Sequence, residues 1–256
     1  WSNFELQIMT RDCFMELGIE FIIIFLLATF QAMFGVGLLL FGTPIFLLIG
    51  YDFESTLVLL LPISISISFL QIFYQKNSIR SLVLEYNIFC LPFLTLFLVI
   101  AINLKDALDA KLYVSIFLII TSLIILNKNR IVRSDKFLLK YRKVYLIIIG
   151  AIHGFTNMGG GFLSIFSTLI NGGDRVLTRK YISYGYFVMG VIQYVTILLI
   201  GSNNVDFIKL YYIFLALVLF FPCQMVFNKL NDQLFTKVIN YIALTFGIVA
   251  LMMSLK

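Results

Sequence analysis

The residues best suited to binding a ligand surround a run of glycines inside an apolar segment. HGFTNMGGGFLSIFSTLINGG, residues 153–173, has the hydropathy of a transmembrane helix, yet it contains Gly159, Gly160 and Gly161 in succession. Each glycine costs a helix about 1 kcal/mol relative to alanine, and lipid offers no water to the freed backbone groups. The glycines therefore predict a helix that restarts there, with its first N–H groups and positive dipole end available to an anion.

Amide and hydroxyl side chains accompany this break and an earlier one, FGVG at residues 34–37. Such neutral groups suit an oxyanion that must later be released. The alternatives are interhelical hydrogen bonds for the polar side chains and close helix packing for the glycines. The candidate substrate-binding residues are Gln31, Gly35, Gly37, Thr43, Gln71, His153, Thr156, Asn157, Gly159, Gly160, Gly161, Ser164 and Gln193.

Individual side chains near the breaks admit two interpretations each. Asn157 is the foremost candidate because it adjoins the glycines. His153, the only histidine of the chain, could carry a proton, since histidine titrates near neutrality, or it could be a neutral structural residue. Ser64 and Ser68 share a helix face and either line a path or bond back to their own helix.

Cations lie close to the ends of the predicted spans. Arg175, Arg179 and Lys180 follow the second broken segment, and Lys76 and Arg80 follow an earlier span. They could form an electropositive vestibule that attracts anions. The simpler interpretation is anchoring at the cytoplasmic side of the membrane.

The composition is that of a helical membrane protein. The chain is 61% hydrophobic and 12% charged, against about 45–50% and about 25% in soluble domains. Its net charge of +6 does not indicate nucleic acid binding, because the longest basic stretch joins two apolar runs as a cytoplasmic loop would. The three cysteines are scattered, so we expect no disulfide framework, metal site or cofactor.

Eight apolar runs provide the elements that must position the candidate residues. Two of them, 20–50 and 144–171, have about 30 residues, or about 45 Å of helix, against a hydrocarbon core of about 30 Å. Each is interrupted by glycine and opens one half of the chain. A shift of 122 residues aligns Gln31 with His153 and Gln71 with Gln193. The other runs are 55–75, 83–102, 112–127, 181–200, 207–227 and 238–255.

These features predict an all-α polytopic membrane protein built from two repeats. Each repeat has a glycine-broken, re-entrant helical hairpin followed by three transmembrane helices. The N-terminal repeat is 1–127, a basic cytoplasmic linker is 128–143, and the C-terminal repeat is 144–256.

The distribution of Lys and Arg distinguishes two topologies. If each broken segment crosses the membrane once, 12 basic residues share one side and 7 the other. If each segment enters and returns, the counts become 14 and 5. The positive-inside rule favours the second arrangement, which makes the two repeats inverted.

Three segments carry a resemblance to a known family. GVGLLLFGTP (35–44) followed by GYDFESTLVLLLP (50–62) resembles the first signature of the TauE/SafE sulfite exporter family, and GAIHGFTNMGGGF (150–162) resembles its second-half counterpart. The first copy departs from a GxGGG form, and the second has no proline matching Pro44. The resemblance implies a permease for small organosulfur-related anions.

The expected function is a secondary transporter or exporter of sulfite, a sulfonate or a carboxylate, multi-pass in the cell (inner) membrane. Its expected partners are the anion and the lipid bilayer, with no nucleic acid. An anion channel of the same fold is the main alternative. An enzyme is not expected, because it would need a reactive pair such as Ser–His and His153 is the only candidate base.

Overall fold

The computed structural model describes residues 3–75, 80–104, 140–201 and 207–235, together with residues 116, 237, 238 and 241. Within these ranges the chain is helical and forms no strand. The helices are α1 (Asn3–Phe34), α2 (Leu38–Leu48), α3 (Phe53–Tyr74), α4 (Arg80–Phe89), α5 (Leu91–Asn103), α6 (Arg142–Thr156), α7 (Gly160–Ile170), α8 (Arg175–Ile200), a 3-10 helix (Phe207–Tyr211) and α9 (Tyr212–Lys229).

Four helical stretches are long and apolar enough to cross a membrane: Phe53–Tyr74, Val83–Asn103, Arg175–Ile200 and Lys209–Lys229. The prediction of an all-α chain with apolar helices of membrane-spanning length is thus confirmed for the described residues. Apart from residues 116, 238 and 241, the predicted spans 112–127 and 238–255 lie outside those residues, as does most of the linker 128–143.

Both long apolar segments are interrupted at the predicted glycines. The first is divided into α1 and α2, and the second into α6 and α7. Helices α2 and α7 contain 11 residues each, or about 17 Å of helix, so neither can cross a core of about 30 Å alone. Their bounds are offset by 122 residues, the shift that aligns the two halves in sequence.

Helices α3 and α8 pack against each other in antiparallel directions. Ser183 near the start of α8 donates to the Oε1 of Gln71 near the end of α3 (2.7 Å). At the opposite end, a Cβ on Gly201 would lie 3.3 Å from the Oε2 of Glu54. The turn that precedes α3 and the turn that precedes α8 therefore lie at opposite ends of this pair.

Aspartates cap the first turns of α3 and α8. Asp52 accepts a hydrogen bond from the backbone N–H of Ser55 (2.9 Å), and Asp174 accepts from those of Val176 (2.8 Å) and Leu177 (2.9 Å). An N-cap carboxylate satisfies backbone donors that have no helical partner. Each broken segment is thus followed by a well-defined helix start.

Glycines on α6 allow it to pack directly against the backbone of α5. A Cβ on Gly150 would lie 2.1 Å from the carbonyl oxygen of Cys90, and one on Gly154 would lie 2.2 Å from that of Leu94. Small residues permit such close approach between membrane helices. At these two positions the glycines allow close helix packing. The contact holds α6 against α5 along the turns that precede the second break.

Candidate functional site

The first break lies between α1 and α2 and packs against α8. Gly35 has φ 80° and Gly37 has φ 146°, values in the left-handed region that favours glycine. A Cβ on Gly35 would lie 3.3 Å from the Cγ of Arg179 and 3.4 Å from the Oγ of Ser183. Backbone conformation and close approach therefore both account for the glycines here.

The predicted glutamines at the first break are occupied by other protein groups. Gln31 donates to the hydroxyls of Ser64 (2.8 Å) and Ser68 (3.1 Å). Gln71 donates to the carbonyl oxygen of Gln31 (2.8 Å) and accepts from Ser183 (2.7 Å). The Gln31 carbonyl also accepts from the backbone N–H of Gly35 (2.8 Å), and Gln71 donates as well to the carbonyl oxygen of Ala32 in the last turn of α1 (3.0 Å). The two glutamines hold the break together.

Arg179 is a fully buried cation at this break. Its Nη1 donates to the Oε1 of Gln224 (2.8 Å), and its Nη2 donates to the carbonyl oxygen of Ala32 (2.5 Å). Its guanidinium carbon lies 4.0 Å from the centroid of the Phe227 ring. Among the described residues no carboxylate pairs with it. The guanidinium complements the negative end of the α1 dipole and places a positive charge inside the helix bundle.

The second break joins the two broken segments. Asn157 has φ 61° and occupies the position equivalent to Gly35 under the 122-residue shift. Its Nδ2 donates to the Oγ1 of Thr43 on α2 (2.8 Å). Helix α7 then begins after Gly159, and no side chain in the described part of the chain caps its first turn. The positive end of α7 is therefore open to another partner.

Four side chains at this break have polar atoms without a hydrogen-bond partner in the described part of the chain: both ring nitrogens of His153, Oδ1 of Asn157, the hydroxyl of Tyr186 and Oε1 of Gln193. All four residues are 0% exposed. The rings of His153 and Tyr186 meet edge to face with centroids 5.9 Å apart. The Tyr186 hydroxyl lies 1.5 Å from the position of a Cβ on Gly160, directly at the start of α7. We call these four side chains the second-break cluster.

The other predicted residues serve their own segments. The hydroxyl of Thr156 donates to the carbonyl oxygen of Ile152 (2.7 Å), and that of Ser164 donates to the carbonyl oxygen of Gly160 (2.8 Å). A Cβ on Gly161 would meet only a methyl group, at 3.9 Å. Both hydroxyls are thus used within their own segments, and that of Thr156 also accepts from the backbone N–H of Met158 at the break (3.2 Å).

One face of α8 connects the two breaks. Arg179, Ser183, Tyr186 and Gln193 are spaced four, three and seven residues apart, so they share a helix face, and all are buried. The face extends about 21 Å along the helix. Arg179 and Tyr186 were absent from the predicted site. The signal that could have identified them is this helical spacing within a membrane-length segment.

Comparison of the chain with family models, curated proteins and solved structures gives no match. The function must therefore be inferred from the chemistry of the site. Among the described residues, no group of three His, Cys, Asp or Glu could hold a metal ion, and His153 makes no hydrogen bond to a serine. The second-break cluster offers hydrogen-bond donors and acceptors beside a helix N-terminus, an arrangement suited to reversible binding.

Proposed function

We propose that this protein is a secondary transporter of a small oxyanion and that the second-break cluster is its binding site. One observation carries the proposal: four fully buried side chains at the break before α7 have polar atoms without a partner in the described part of the chain, and one of them, Tyr186, touches the first residue of α7. A buried polar group without a partner costs about 1–3 kcal/mol. A bound oxyanion would accept hydrogen bonds from the Tyr186 hydroxyl and from the first N–H groups of α7, at the positive end of that helix.

We further propose that the two halves are inverted repeats, each opening with a re-entrant hairpin. Equivalent hydrogen bonds support this: Gln71 donates to the carbonyl oxygen of Gln31 (2.8 Å), and Gln193 donates to that of His153 (3.5 Å). The two pairs are related by the 122-residue shift. The antiparallel packing of α3 and α8 agrees with an inverted relation, and such transporters bind substrate where their broken helices meet.

The substrate class follows from the resemblance to the TauE/SafE family. Sulfite, a sulfonate or a small carboxylate is the first choice for a chain of this kind in the cell (inner) membrane. The buried charge of Arg179 on the same helix face as the cluster also favours an anion. Transport would be driven by the gradient of the anion or of protons.

The topology can be tested by cysteine labelling. In a background without Cys13, Cys90 and Cys223, we expect Asp52→Cys to react with an impermeant maleimide from outside and Asp174→Cys only from the cytoplasm. Loss of either N-cap costs about 1 kcal/mol, which a folded membrane protein should tolerate. Labelling of both positions from the same side would contradict the inverted arrangement.

Replacing Tyr186 with phenylalanine should separate stability from function. The change removes one unpartnered buried hydroxyl, so the empty protein should become more stable by about 1 kcal/mol. The anion loses a hydrogen bond, so sulfite affinity should fall about tenfold. Thermal unfolding in detergent and isothermal titration with sulfite measure the two effects, and flux into vesicles measures transport.

Tyr212→Phe is the matched control for this experiment. Tyr212 is also fully buried with an unpartnered hydroxyl, but it lies at the start of α9, where its ring contacts those of Phe21 and Tyr211. Its replacement should raise stability without changing sulfite affinity or flux. Unchanged sulfite affinity in Tyr186→Phe would contradict the assignment of the site.

Saturable counterflow in the unmodified protein would distinguish a carrier from a channel.

A further inference from the structure

The donors and acceptors of the second-break cluster define the kind of anion that fits it. We propose that the ligand is a singly charged oxyanion that still carries an O–H group, as hydrogen carbonate and hydrogen sulfite do. Fully deprotonated oxyanions would bind more weakly. This inference rests on the proposed function and narrows its substrate: of the anions proposed above, it favours sulfite in the form of hydrogen sulfite over sulfonates and carboxylates.

Two members of the cluster present acceptors to the ligand. Asn157 uses its amide nitrogen to bond Thr43 (2.8 Å), which leaves its Oδ1 unpartnered. Gln193 uses its amide nitrogen to bond the His153 carbonyl (3.5 Å), which leaves its Oε1 unpartnered. An amide oxygen can only accept a hydrogen bond. A ligand without a proton to donate would leave both oxygens unsatisfied and would face them with its own negative oxygens.

The other members present donors. The Tyr186 hydroxyl can donate, and a neutral imidazole such as that of His153 has one N–H donor and one acceptor nitrogen. The first N–H groups of α7 add further donors. The cluster as a whole therefore matches a molecule that has both negatively charged oxygens and a hydroxyl group.

The charge near the cluster suits a single negative charge. The cluster contains no lysine or arginine, and a helix N-terminus contributes about half a positive charge. Arg179 precedes Tyr186 by seven residues on α8, about 10 Å along the axis. Its guanidinium is bonded to Ala32 and Gln224. A doubly charged oxyanion would lack the direct cationic contact that its second charge requires.

The equivalent groups of the first half provide an internal comparison. Under the 122-residue shift, Gln31 corresponds to His153 and Ser64 to Tyr186. Gln31 and Ser64 bond each other (2.8 Å), whereas the ring nitrogens of His153 and the hydroxyl of Tyr186 have no partner in the described residues. In the first half, the side chains of Gln31 and Ser64 are thus already hydrogen-bonded to each other. We therefore expect each chain to bind one such ligand, and the second half to provide the site.

Hydrogen carbonate and nitrate form a suitable pair of probes. Both are planar, singly charged oxyanions of similar size, and only hydrogen carbonate carries an O–H group. We expect the purified protein in detergent to bind hydrogen carbonate about tenfold more tightly than nitrate, since one buried acceptor is satisfied by the first and not by the second. Isothermal titration at one pH and constant ionic strength measures both affinities, with sulfite titrated in parallel.

A substitution tests whether the amide oxygen is responsible. In Gln193→Met the acceptor is absent, so we expect the hydrogen carbonate preference to shrink to about twofold or less while nitrate affinity is retained or increased. Thr196→Val is the control, because the hydroxyl of Thr196 bonds only to the carbonyl of Ile192 in its own helix (2.7 Å). This control should keep the tenfold preference.

The outcomes separate the substrate inference from the proposed function. If nitrate binds as tightly as hydrogen carbonate and Tyr186→Phe weakens both, the site is an anion site but the requirement for an O–H group is wrong. If the preference persists in Gln193→Met, the inference is also wrong. If neither probe nor sulfite binds the unmodified protein, the proposed function fails, and the substrate inference fails with it.

Discussion

Replacing Gly160 with alanine should strongly weaken anion binding and slow transport while leaving a folded protein. The new Cβ would lie 1.5 Å from the hydroxyl oxygen and 2.4 Å from the Cζ of Tyr186, so the ring must move away from the N-terminus of α7. Overpacking of this kind costs about 1–3 kcal/mol, which corresponds to about 5- to 150-fold in affinity when it displaces a binding group. Sulfite titration in detergent and flux in vesicles measure the loss.

The neighbouring glycine is the matched control. A Cβ on Gly161 would meet only the Cδ1 of Leu40, at 3.9 Å, an ordinary contact distance. Gly161→Ala should therefore keep sulfite affinity and raise helix stability by up to about 1 kcal/mol. Wild-type flux through Gly160→Ala would show that the position of Tyr186 is irrelevant to binding. Equal loss in both variants would show that the break tolerates no side chain at all.

Replacing Arg179 with methionine should weaken anion binding and slow transport by about tenfold or more. A unit charge about 10 Å away along α8 acts on an anion with about 1.7 kcal/mol at an effective dielectric constant of about 20. The same change leaves the Ala32 carbonyl and the Gln224 amide oxygen without their donor. We therefore expect lower thermal stability as well as weaker binding.

Two further variants assign the effect to charge and position. Arg179→Lys keeps the charge but lacks the planar fork needed to reach both acceptors. Compared with Arg179→Met, it should therefore restore sulfite affinity more fully than thermal stability. Arg175→Met removes a second cation at the start of α8. Arg175 donates to the carbonyl oxygen of Phe227 (2.6 Å) and lies 5.0 Å from the centroid of the Phe227 ring. Within the described residues, and unlike Arg179, it pairs with a carboxylate, that of Asp232 (3.3 Å). This variant should leave sulfite affinity within about twofold, because Asp232 neutralises the charge of the partly buried Arg175. If Arg179→Met lowers thermal stability but leaves sulfite affinity unchanged, the role of Arg179 is limited to capping the end of α1.

The sequence was sufficient to predict where the helices break. Closely spaced glycines in an apolar helix have a summed local cost, so Gly35, Gly37 and the run from Gly159 indicated the interruptions, whereas the more widely spaced glycines of α6 lie within a continuous helix. After the breaks, α2 begins at Leu38, directly behind Gly37, and α7 begins at Gly160, within the run of three glycines.

The sequence also indicated the types of side chain at the breaks but not their roles. Gln71 and Gln193 are equivalent in sequence, yet the side-chain oxygen of Gln71 accepts from Ser183 and that of Gln193 has no partner in the described part of the chain. The difference depends on which helix lies opposite each glutamine. Local sequence contains no information on that choice.

Only the tertiary structure decided which cation matters. From the sequence, Arg175, Arg179 and Lys180 are three similar residues at the start of one helix. Their contacts distinguish them: α8 turns the fully buried Arg179 toward the end of α1, Lys180 donates to the carbonyl oxygen of Gln75, and Arg175 lies beside Asp232. Whether a charge is solvated, paired or held inside a bundle depends on contacts between residues far apart in sequence, here Ala32 and Arg179. The glycine breaks are a local property of the chain, whereas the partners of the buried polar groups are a property of the assembled helices.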